Sequence, residues 1–563
     1  MGNPAAVSNG PGHRPVTAIG APPSRRIAPF SRSHRFLGRA TWIDRVAPMD
    51  CGLSPPGWAL QSSCSPAILG RVIPMNGFLH PRPSFLDRLR WIVLGTLLVG
   101  LGTGAAQAGQ RPPNVLVILT DDQRWDAMGC AGNRLVRTPN MDRLAAEGVR
   151  FANVFVTTSL CSPSRASLLS GQYARQHRVL NNFTEYPNTL PSYPRRLKDA
   201  GYETAYIGKW HMGEDNDERR PGFDHWFSHR GQGNYFDTEF NDDGTRRKVP
   251  GYYTTVVTDH AIDWLRKPHD RPFLLILGQK APHGGPIQPE PRFEHALDSV
   301  HIPRPANADD YAAPDKPAWL KESYPTWHGL GGPLYGQKEY DRFVRAYLAT
   351  LLSVDESIGR IYDTLRSIGQ LDHTVLVFTS DNGFVLGEHG RVDKRTAYEE
   401  SLRIPLIVRY PPLARAGTVV SNLVTSLDLA PSLIDLAGAR PLRDIHGASW
   451  KPLLAGKRTR WRESFLYEYN FEKQFPYTPN VRALRTADWK FIRYPHGDGS
   501  PDRFTAELYD LVRDPLEQHN LIADPRFASQ RRRMERDLDK LSRRIGPDAM
   551  PVYEGITNVL PKY

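Results

Sequence analysis

The chain has 563 residues, too many for one small core and enough for a large domain followed by a smaller one. Hydrophobic residues make up 40% and charged residues 23% of it, which is typical of a soluble globular protein. The formal net charge is +12, but eleven Arg and three Asp lie in residues 1–108. The rest of the chain therefore carries little excess charge, and nothing in it points to a polyanion such as nucleic acid as its partner.

The first hundred residues divide into two segments of different character. Residues 1–74 are rich in Pro, Gly, Ser and Arg and show no sustained helix or strand period, so we expect a non-native or disordered leader. From Met75 the pattern is that of a signal peptide, with basic residues before an apolar run over 91–101 and a small-x-small cleavage site at 106–108. That run is too short for a membrane anchor, which needs about 20 residues. We predict that 75–108 is removed and that the mature protein is periplasmic or secreted, without a stable membrane anchor.

From residue 112 onward, apolar runs alternate with helical patterns, which predicts a largely parallel sheet with helices on both faces. Four of these runs stop abruptly at residue types that carry chemistry. In chain order they are 114–120 before Asp121 and Asp122, 204–208 before Lys209 and His211, 272–277 before Pro282 and His283, and 374–380 before Asp381 and Asn382. Ligands of open α/β sheets bind beyond the carboxyl ends of the strands, so we expect these side chains to converge there.

The acidic strand ends point to a metal ion. Asp121, Asp122, Asp381 and Asn382 offer only oxygen donors, which suits a hard cation, Ca²⁺ more than Mg²⁺ if most ligands come from protein. The set contains neither His nor Cys, so zinc is disfavoured. Each pair alone is more often a turn with local side-chain capping than a metal site. Their joint occurrence at strand ends favours the metal site.

The run Cys161-Ser162-Pro163-Ser164-Arg165 precedes an apolar helical pattern. It predicts that Cys161 lies at a helix N-terminus, where free N–H groups and the helix dipole favour an anion. Pro163 suits the first turn because its missing N–H is not needed there. Arg165 adds a permanent planar cation for an oxyanion. The alternative is a buried structural Cys before an ordinary helix.

Taken together, these motifs resemble the type I sulfatase family of the alkaline phosphatase superfamily, from about residue 112 to about residue 521. The segments that carry the resemblance are 138–145, 161–165, 208–211, 281–283, 380–383, 392–394, 507–511 and 514–517. The resemblance implies an α/β fold in which a large, mostly parallel mixed sheet flanked by helices forms a catalytic domain at 110–450. A smaller C-terminal α+β domain with a short antiparallel sheet would follow at 455–563.

Three further segments carry local predictions. Alternation predicts one strand over 485–494, and apolar spacing predicts a helix over 525–545 whose Arg-rich side is solvated. Residues 284–335 are dense in Pro, Trp, Tyr and His with few periodic signals. A loop of that length is usually functional, so we expect it to rim the substrate cleft.

The resemblance also implies the chemistry of the site. In that family the signature Cys is converted to Cα-formylglycine, whose hydrate is the nucleophile, and here that residue is Cys161. One Ca²⁺ would be bound by the modified Cys161 together with Asp121, Asp122, Asp381 and Asn382. A separate maturation enzyme would act on the unfolded segment, so the chain needs that partner transiently before folding or export.

The remaining roles concern charge and protons. Arg165 and Lys209 would hold the formylglycine and the sulfate charge, and such electrostatic stabilisation is often the largest catalytic contribution. His283, assisted by Lys394, would be the general acid toward the leaving alcohol. After the covalent sulfate forms, His211 would take the proton from the second hydroxyl. Which His serves which step stays open.

The prediction of the substrate is based on three short stretches, at 179–182, 351–355 and 393–406. They look most like the corresponding segments of N-acetylglucosamine-6-sulfatases and related glycosaminoglycan sulfatases. The leading hypothesis is exo-acting desulfation of 6-O-sulfated N-acetylglucosamine or a related sulfated glycan. The alternatives are an aryl sulfatase, a phosphonate or phosphodiester hydrolase of the same superfamily, and a non-catalytic sulfoglycan-binding protein.

Overall fold

The computed structural model describes residues 111–332, 337–497 and 506–551, all of which belong to one compact unit, Gly100–Tyr563. The predicted leader and signal peptide lie outside the described residues. Within the described ranges, no helix has the length and apolar character needed to cross a membrane.

A ten-stranded mixed sheet organises most of the chain, with the strand order β13-β2-β12-β9-β1-β8-β4-β5-β6-β7. Strands β9, β1, β8, β4 and β5 are parallel neighbours, whereas β12, β6 and β7 pair antiparallel. The ten strands are β1 (Asn114–Thr120), β2 (Val149–Phe151), β4 (Glu203–Gly208), β5 (His225–Ser228), β6 (Glu239–Asp242), β7 (Thr245–Lys248), β8 (Phe273–Gly278), β9 (Thr374–Ser380), β12 (Leu406–Arg409) and β13 (Thr418–Val420). The predicted mostly parallel sheet is confirmed.

The described residues contain eleven helices, and several of them cover both faces of this sheet. They are α1 (Pro139–Glu147), α2 (Cys161–Ser170), α3 (Ala174–His177), α4 (Tyr193–Asp199), α5 (Tyr253–Leu265), α6 (Ala318–Ser323), α7 (Gln337–Ser367), α8 (Glu399–Leu402), α9 (Leu429–Leu436), α10 (Lys451–Leu454) and α11 (Ala528–Ile545). Single 3₁₀ turns occur at Gly129–Ala131, Pro291–Phe293, Asp310–Ala312, Glu388–Gly390, Ser426–Asp428 and Pro525–Phe527. Two minor ribbons pair β3 (Val154–Phe155) with β14 (Val424–Thr425) and β10 (Val385–Leu386) with β11 (Val392–Asp393).

The apolar sequence of β1 follows from its central position. Every residue of β1 is buried, because helices lie on both sides of it. Val115 and Val117 join the core that contains residues of α2, α4 and α9, whereas Leu116 and Ile118 join the core that contains residues of α5 and α7. Successive side chains of a strand point to opposite faces, so one short run of Val, Leu and Ile supplies two cores at once.

A second sheet lies in the C-terminal part and is wholly antiparallel. Its strands are β15 (Ser464–Tyr469), β16 (Val481–Thr486), β17 (Trp489–Arg493) and β18 (Ala506–Asp510), in that order. One face packs on Met534 and Leu538 of α11, and the other packs on Leu160 and Tyr398 of the large-sheet part. The second sheet therefore packs directly on helices and connecting segments of the large-sheet part, and a domain boundary near 450–455 remains a prediction.

Two local predictions have different outcomes. The helix predicted over 525–545 is confirmed as a 3₁₀ turn followed by α11. The single strand predicted over 485–494 is wrong, because β16 and β17 form a hairpin through Ala487 and Asp488. Thr486 Oγ1 accepts a hydrogen bond from the Trp489 N–H at 3.0 Å and closes the turn, a local contact that alternation does not reveal.

Candidate active site

The parallel register of the large sheet aligns the strand ends that carry polar residues. Thr120 pairs with Ser380, and Gly278 pairs with both Leu119 and Gly208. The residues that follow β1, β4, β8 and β9 therefore leave the sheet at the same edge. The predicted convergence of these four strand ends is confirmed.

Two glycines let β4 and β8 approach closely at this edge. Gly208 has a φ of +103°, and a Cβ on it would lie 2.0 Å from the Gly278 carbonyl oxygen. A Cβ on Gly278 would in turn lie 2.6 Å from the Lys209 carbonyl oxygen. The Lys209 N–H donates to the Gly278 carbonyl at 2.9 Å, which turns the chain so that Lys209 is buried at the site.

Three buried carboxylates lie together beyond β1 and β9. Oxygen atoms of Asp121, Asp122 and Asp381 lie within 4.8 Å of one another. Asp122 has a φ of 65°, and its N–H donates to Asp381 Oδ1 at 3.0 Å. Burial raises the pKa of Asp122, and the charge of Asp381 raises it further. Such a cluster of like charges requires cations for its stability.

Asn382 completes this oxygen-rich group. Its Nδ2 donates to Asp122 Oδ1 at 2.6 Å and to the Gly383 carbonyl at 2.8 Å, which fixes the orientation of the amide. Its Oδ1 is buried and has no hydrogen-bond partner among the described residues. A buried acceptor beside three carboxylates, with no nitrogen or sulfur ligand required, fits a hard cation such as Ca²⁺.

Cys161 is the first residue of α2, as predicted, and its side chain is fully buried. Its thiol donates to Asp121 Oδ1 at 3.5 Å, and Lys394 Nζ donates to Sγ at 2.9 Å. Burial raises the pKa of the Cys161 thiol to about 12 despite the nearby Lys394. The unmodified side chain is therefore a neutral thiol and not a thiolate nucleophile.

Each of the three carboxylates is ion-paired to a cation, and Asp121 also lies 3.8 Å from Arg165 Nη2. Arg165 Nε donates to Asp381 Oδ2 at 2.8 Å, and Arg165 also donates to the Lys209 carbonyl at 2.6 Å. Lys209 Nζ pairs with Asp121, and Lys394 Nζ pairs with Asp122. All three cations are buried, and the charge of Asp122 raises the pKa of Lys394.

His211 lies on the buried side of the site. Its Nε2 is 3.0 Å from Glu214 Oε1 and 3.0 Å from Gln232 Nε2, and its carbonyl accepts the Ser162 hydroxyl at 2.6 Å. Burial and the cations Lys209 and Arg165 hold the pKa of His211 well below its usual value. The imidazole is therefore neutral and able to accept a proton.

His283 lies at the opening of the site. Its side chain is 16% exposed, whereas that of His211 is 0% exposed. A ring nitrogen of His283 lies within 4.8 Å of Cys161 Sγ and of an Asp121 oxygen. Its Nδ1 lies 2.7 Å from the Gly284 carbonyl, which assigns the proton of the neutral ring to Nδ1 and directs Nε2 toward Asp122 at 3.8 Å. Burial and the neighbouring Lys209 lower the pKa of His283.

The structure thus brings all ten predicted site residues together at one edge of the sheet. It also adds Lys280 and Gln232, which the motifs did not single out. Lys280 follows β8 at a short distance, as Lys209 follows β4, so the strand-end rule contained a signal for it. Gln232 lies between Gly231 and Gly233 in the loop after β5, and no sequence pattern distinguishes this loop from an ordinary turn.

Comparisons with known proteins agree with this geometry. The family described as Sulfatase matches residues 113–439, and the family described as N-sulphoglucosamine sulphohydrolase, C-terminal, matches residues 387–544. An N-acetylglucosamine-6-O-sulfatase of Bacteroides thetaiotaomicron is 35% identical over 491 residues, which is 76% of this chain and 86% of that protein. The N-acetylglucosamine-6-sulfatase of Homo sapiens is 30% identical over 432 residues, which is 71% of this chain and 75% of that protein.

The fold is also similar to that of a solved structure. BT4656 in complex with its substrate D-glucosamine-2-N,6-O-disulfate superposes with a TM-score of 0.71 at 33% identity. The match covers 77% of this chain and 98% of that one.

Proposed function

Since the chain belongs to the sulfatase family and is therefore a sulfuric ester hydrolase, we propose that it removes 6-O-sulfate from N-acetylglucosamine or a related sulfated glycan. The observation that carries the proposal is the buried cluster in which Cys161, three carboxylates and three paired cations meet. The substrate class is supported by two relatives that are N-acetylglucosamine-6-sulfatases and by one relative solved with a 6-O-sulfated glucosamine.

The nucleophile in this proposal derives from Cys161. Its buried, protonated thiol is a poor nucleophile toward a hard sulfur(VI) centre, whereas a formylglycine hydrate at the same position would supply a hydroxyl for attack and a second hydroxyl for release of sulfate. Burial of Cys161 in the folded protein supports modification by a maturation enzyme before folding.

The cation in this proposal is Ca²⁺. Asp121, Asp122, Asp381, Asn382 and the modified Cys161 would hold it, and it would supply positive charge to the nucleophile and the sulfate group. The free Oδ1 of Asn382 supports this ligand set, because the chain itself provides no donor to that atom among the described residues.

The two histidines differ in access, which supports one order of proton transfer. Hydrolysis consumes water and breaks the bond between sulfur and the leaving oxygen, which must gain a proton. His283 is at the opening, where an alcohol leaves, so we assign it the role of the acid. The neutral ring carries its proton on Nδ1, so this role requires that Nε2 also takes up a proton when the anionic ester binds. The Lys394 ammonium, which pairs with the same Asp122 that Nε2 faces, would assist it. His211 is neutral and lies beneath the start of α2, so it takes the proton in the second half of the reaction.

We also propose that the protein acts after export, as a periplasmic or secreted enzyme. The segment 75–108 supports this with its signal-peptide pattern, and one relative is an extracellular sulfatase homologue of Drosophila melanogaster.

A substrate panel tests the proposal directly. The calcium-loaded, matured protein is assayed on N-acetylglucosamine-6-sulfate, an aryl sulfate and a phosphodiester, with Cys161→Ala as the inactive control. We expect the highest kcat/KM on the sugar sulfate. Preference for the aryl sulfate or the phosphodiester would overturn the glycan assignment, and binding without turnover would favour a sulfoglycan-binding protein.

A further inference from the structure

Four cations surround the three carboxylates of the site, and one of the four has no carboxylate partner in the part of the chain that the structure describes. Arg165, Lys209 and Lys394 pair with Asp381, Asp121 and Asp122 respectively. Lys280 is 4% exposed, and no carboxylate oxygen lies within 4.0 Å of its ammonium among the described residues. A buried ammonium without a counter-ion is costly, so its presence here requires an explanation.

The surroundings of Lys280 place its ammonium in the site and not behind it. Nζ donates to the Gln232 carbonyl at 3.3 Å and lies 5.1 Å from the centre of the Tyr235 ring. The Gln232 side chain contacts Lys209 Nζ and His211 Nε2, and the Tyr235 hydroxyl donates to the His283 carbonyl at 2.9 Å. The two residues that contact Lys280, Gln232 and Tyr235, therefore also contact residues with a role in the proposed reaction.

The backbone fixes this position. The Asp121 N–H donates to the Ala281 carbonyl at 3.2 Å, so the residue next to Lys280 is bonded directly to the acidic strand end. Burial lowers the pKa of Lys280 to about 8, although the charge of Asp122 acts in the opposite direction. One donor position is used by the Gln232 carbonyl, and an ammonium has three.

We propose that Lys280 is a substrate-binding residue that donates to a sulfuryl oxygen of the bound ester. This inference rests on the proposed sulfate-ester hydrolysis and adds a fourth cation to the predicted set. A sulfate ester carries one negative charge spread over its terminal oxygens, and it supplies the counter-ion that Lys280 lacks. A purely structural role, stacking on Tyr235 and bonding Gln232, is the alternative.

Inorganic sulfate, the product, is the probe that separates these roles without relying on turnover. Its affinity for the matured, calcium-loaded protein is measured by calorimetry for the parent, Lys280→Met, Lys280→Gln and Lys280→Arg. Lys280→Met keeps the apolar contact with Tyr235, and Lys280→Gln keeps a donor for the Gln232 carbonyl. The exposed Lys267, at the end of α5, gives the control Lys267→Met.

We expect Lys280→Met and Lys280→Gln to bind sulfate about 10- to 100-fold more weakly, with Lys280→Arg closer to the parent, as for loss of a charged hydrogen bond. KM for the sulfate ester should rise by more than kcat falls. Sulfate affinity equal to the parent in either variant with a native melting temperature would overturn the inference. If the parent binds sulfate through Lys280 but hydrolyses no sulfate ester, the proposed function fails and the binding role stands.

Discussion

Arg165 reaches from the first turn of α2 to two different strand ends. It pairs with Asp381 after β9 and donates to the Lys209 carbonyl after β4. A lysine would keep the charge but lacks the planar fork that serves both partners. We predict that Arg165→Lys lowers kcat/KM by about 100-fold with a small change in melting temperature.

The matched control for this variant is Arg366→Lys, an exposed position at the end of α7 that pairs with Asp363. It should retain full activity. Activity of Arg165→Lys within twofold of the parent would show that charge alone is sufficient at this position.

The side chain of Gln232 contacts both Lys209 and His211 and fixes their positions relative to each other. Its amide oxygen accepts from Lys209 Nζ, and its amide nitrogen lies 3.0 Å from His211 Nε2. In Gln232→Glu a carboxylate would stabilise the imidazolium and raise the pKa of His211. Because the proposed role requires neutral His211, activity is lost as pH falls through that pKa. We predict that the acidic limb of the kcat profile moves to higher pH.

Gln232→Ala distinguishes charge from positioning. It removes the contact without adding charge, so kcat should fall by about 10-fold while the acidic limb shows no upward shift. An unshifted acidic limb in Gln232→Glu would argue against His211 as the titrating base.

Of the two residues that sequence reasoning missed, Gln232 has a physical reason for being missed. Most of the predicted site residues directly follow apolar runs or lie a few positions beyond them, as do Asp121, Asp381, Lys209 and His283. The hydrophobic pattern of the strands and the positions where the strands end are therefore sufficient to locate them. Gln232 acts through contacts that arise only when the β5 loop folds back over β4, and Gly231 and Gly233 fix that path with φ values of +49° and +64°. No local pattern encodes such a long-range approach.

At the scale of elements, the second sheet supports the residues around the nucleophile. Tyr467 and Tyr509 pack in the same core as Leu160, the residue before Cys161, and Tyr398, which follows Lys394 by four positions. The second sheet therefore packs against the segment before Cys161 and the segment after Lys394. The family resemblance implied a smaller C-terminal unit with an antiparallel sheet. That this sheet packs directly behind the site depends on tertiary contacts, which short sequence motifs do not specify.

Arg175 of α3 and Glu468 of β15 form a buried ion pair that joins this helix to the second sheet. Their side chains are each 1% exposed, and Glu468 accepts from Arg175 Nε at 2.7 Å and from the Arg175 N–H at 3.0 Å. Removing Glu468 leaves the buried Arg175 with only the 26% exposed Asp548, at 3.2 Å, as its counter-ion among the described residues. We predict that Glu468→Ala lowers the free energy of unfolding by about 3–5 kcal/mol, measured by denaturant titration.

The control pair is Arg493 with Asp539, whose side chains are 34% and 44% exposed. Asp539→Ala should cost at most about 1 kcal/mol, because exposed pairs contribute little. Equal destabilisation by both variants would mean that burial does not set the strength of these pairs.

For the whole molecule, the proposed Ca²⁺ site would couple metal binding to stability. Bringing three carboxylate oxygens within 4.8 Å of one another is favourable only with nearby positive charge, which a bound cation increases. Free Ca²⁺ at about 100 times its Kd would add about 2.7 kcal/mol to the stability. We predict that chelation lowers the melting temperature and abolishes activity, and that Ca²⁺ restores both better than Mg²⁺.

Scanning calorimetry with and without a calcium chelator provides this measurement. Asp435→Asn, at a 45% exposed carboxylate of α9, should respond to calcium as the parent does, whereas Asp122→Asn should not. A melting temperature and activity that ignore the chelator would contradict a calcium site at Asp121, Asp122 and Asp381.

The account as a whole depends on the chemical identity of residue 161. The measurement that tests it most directly is the mass of the proteolytic peptide that spans Cys161, from protein produced together with a sulfatase-maturing enzyme. We predict the mass of the peptide in which an aldehyde replaces the thiol group. An unmodified cysteine in protein that hydrolyses sulfate esters at full rate would contradict the formylglycine nucleophile.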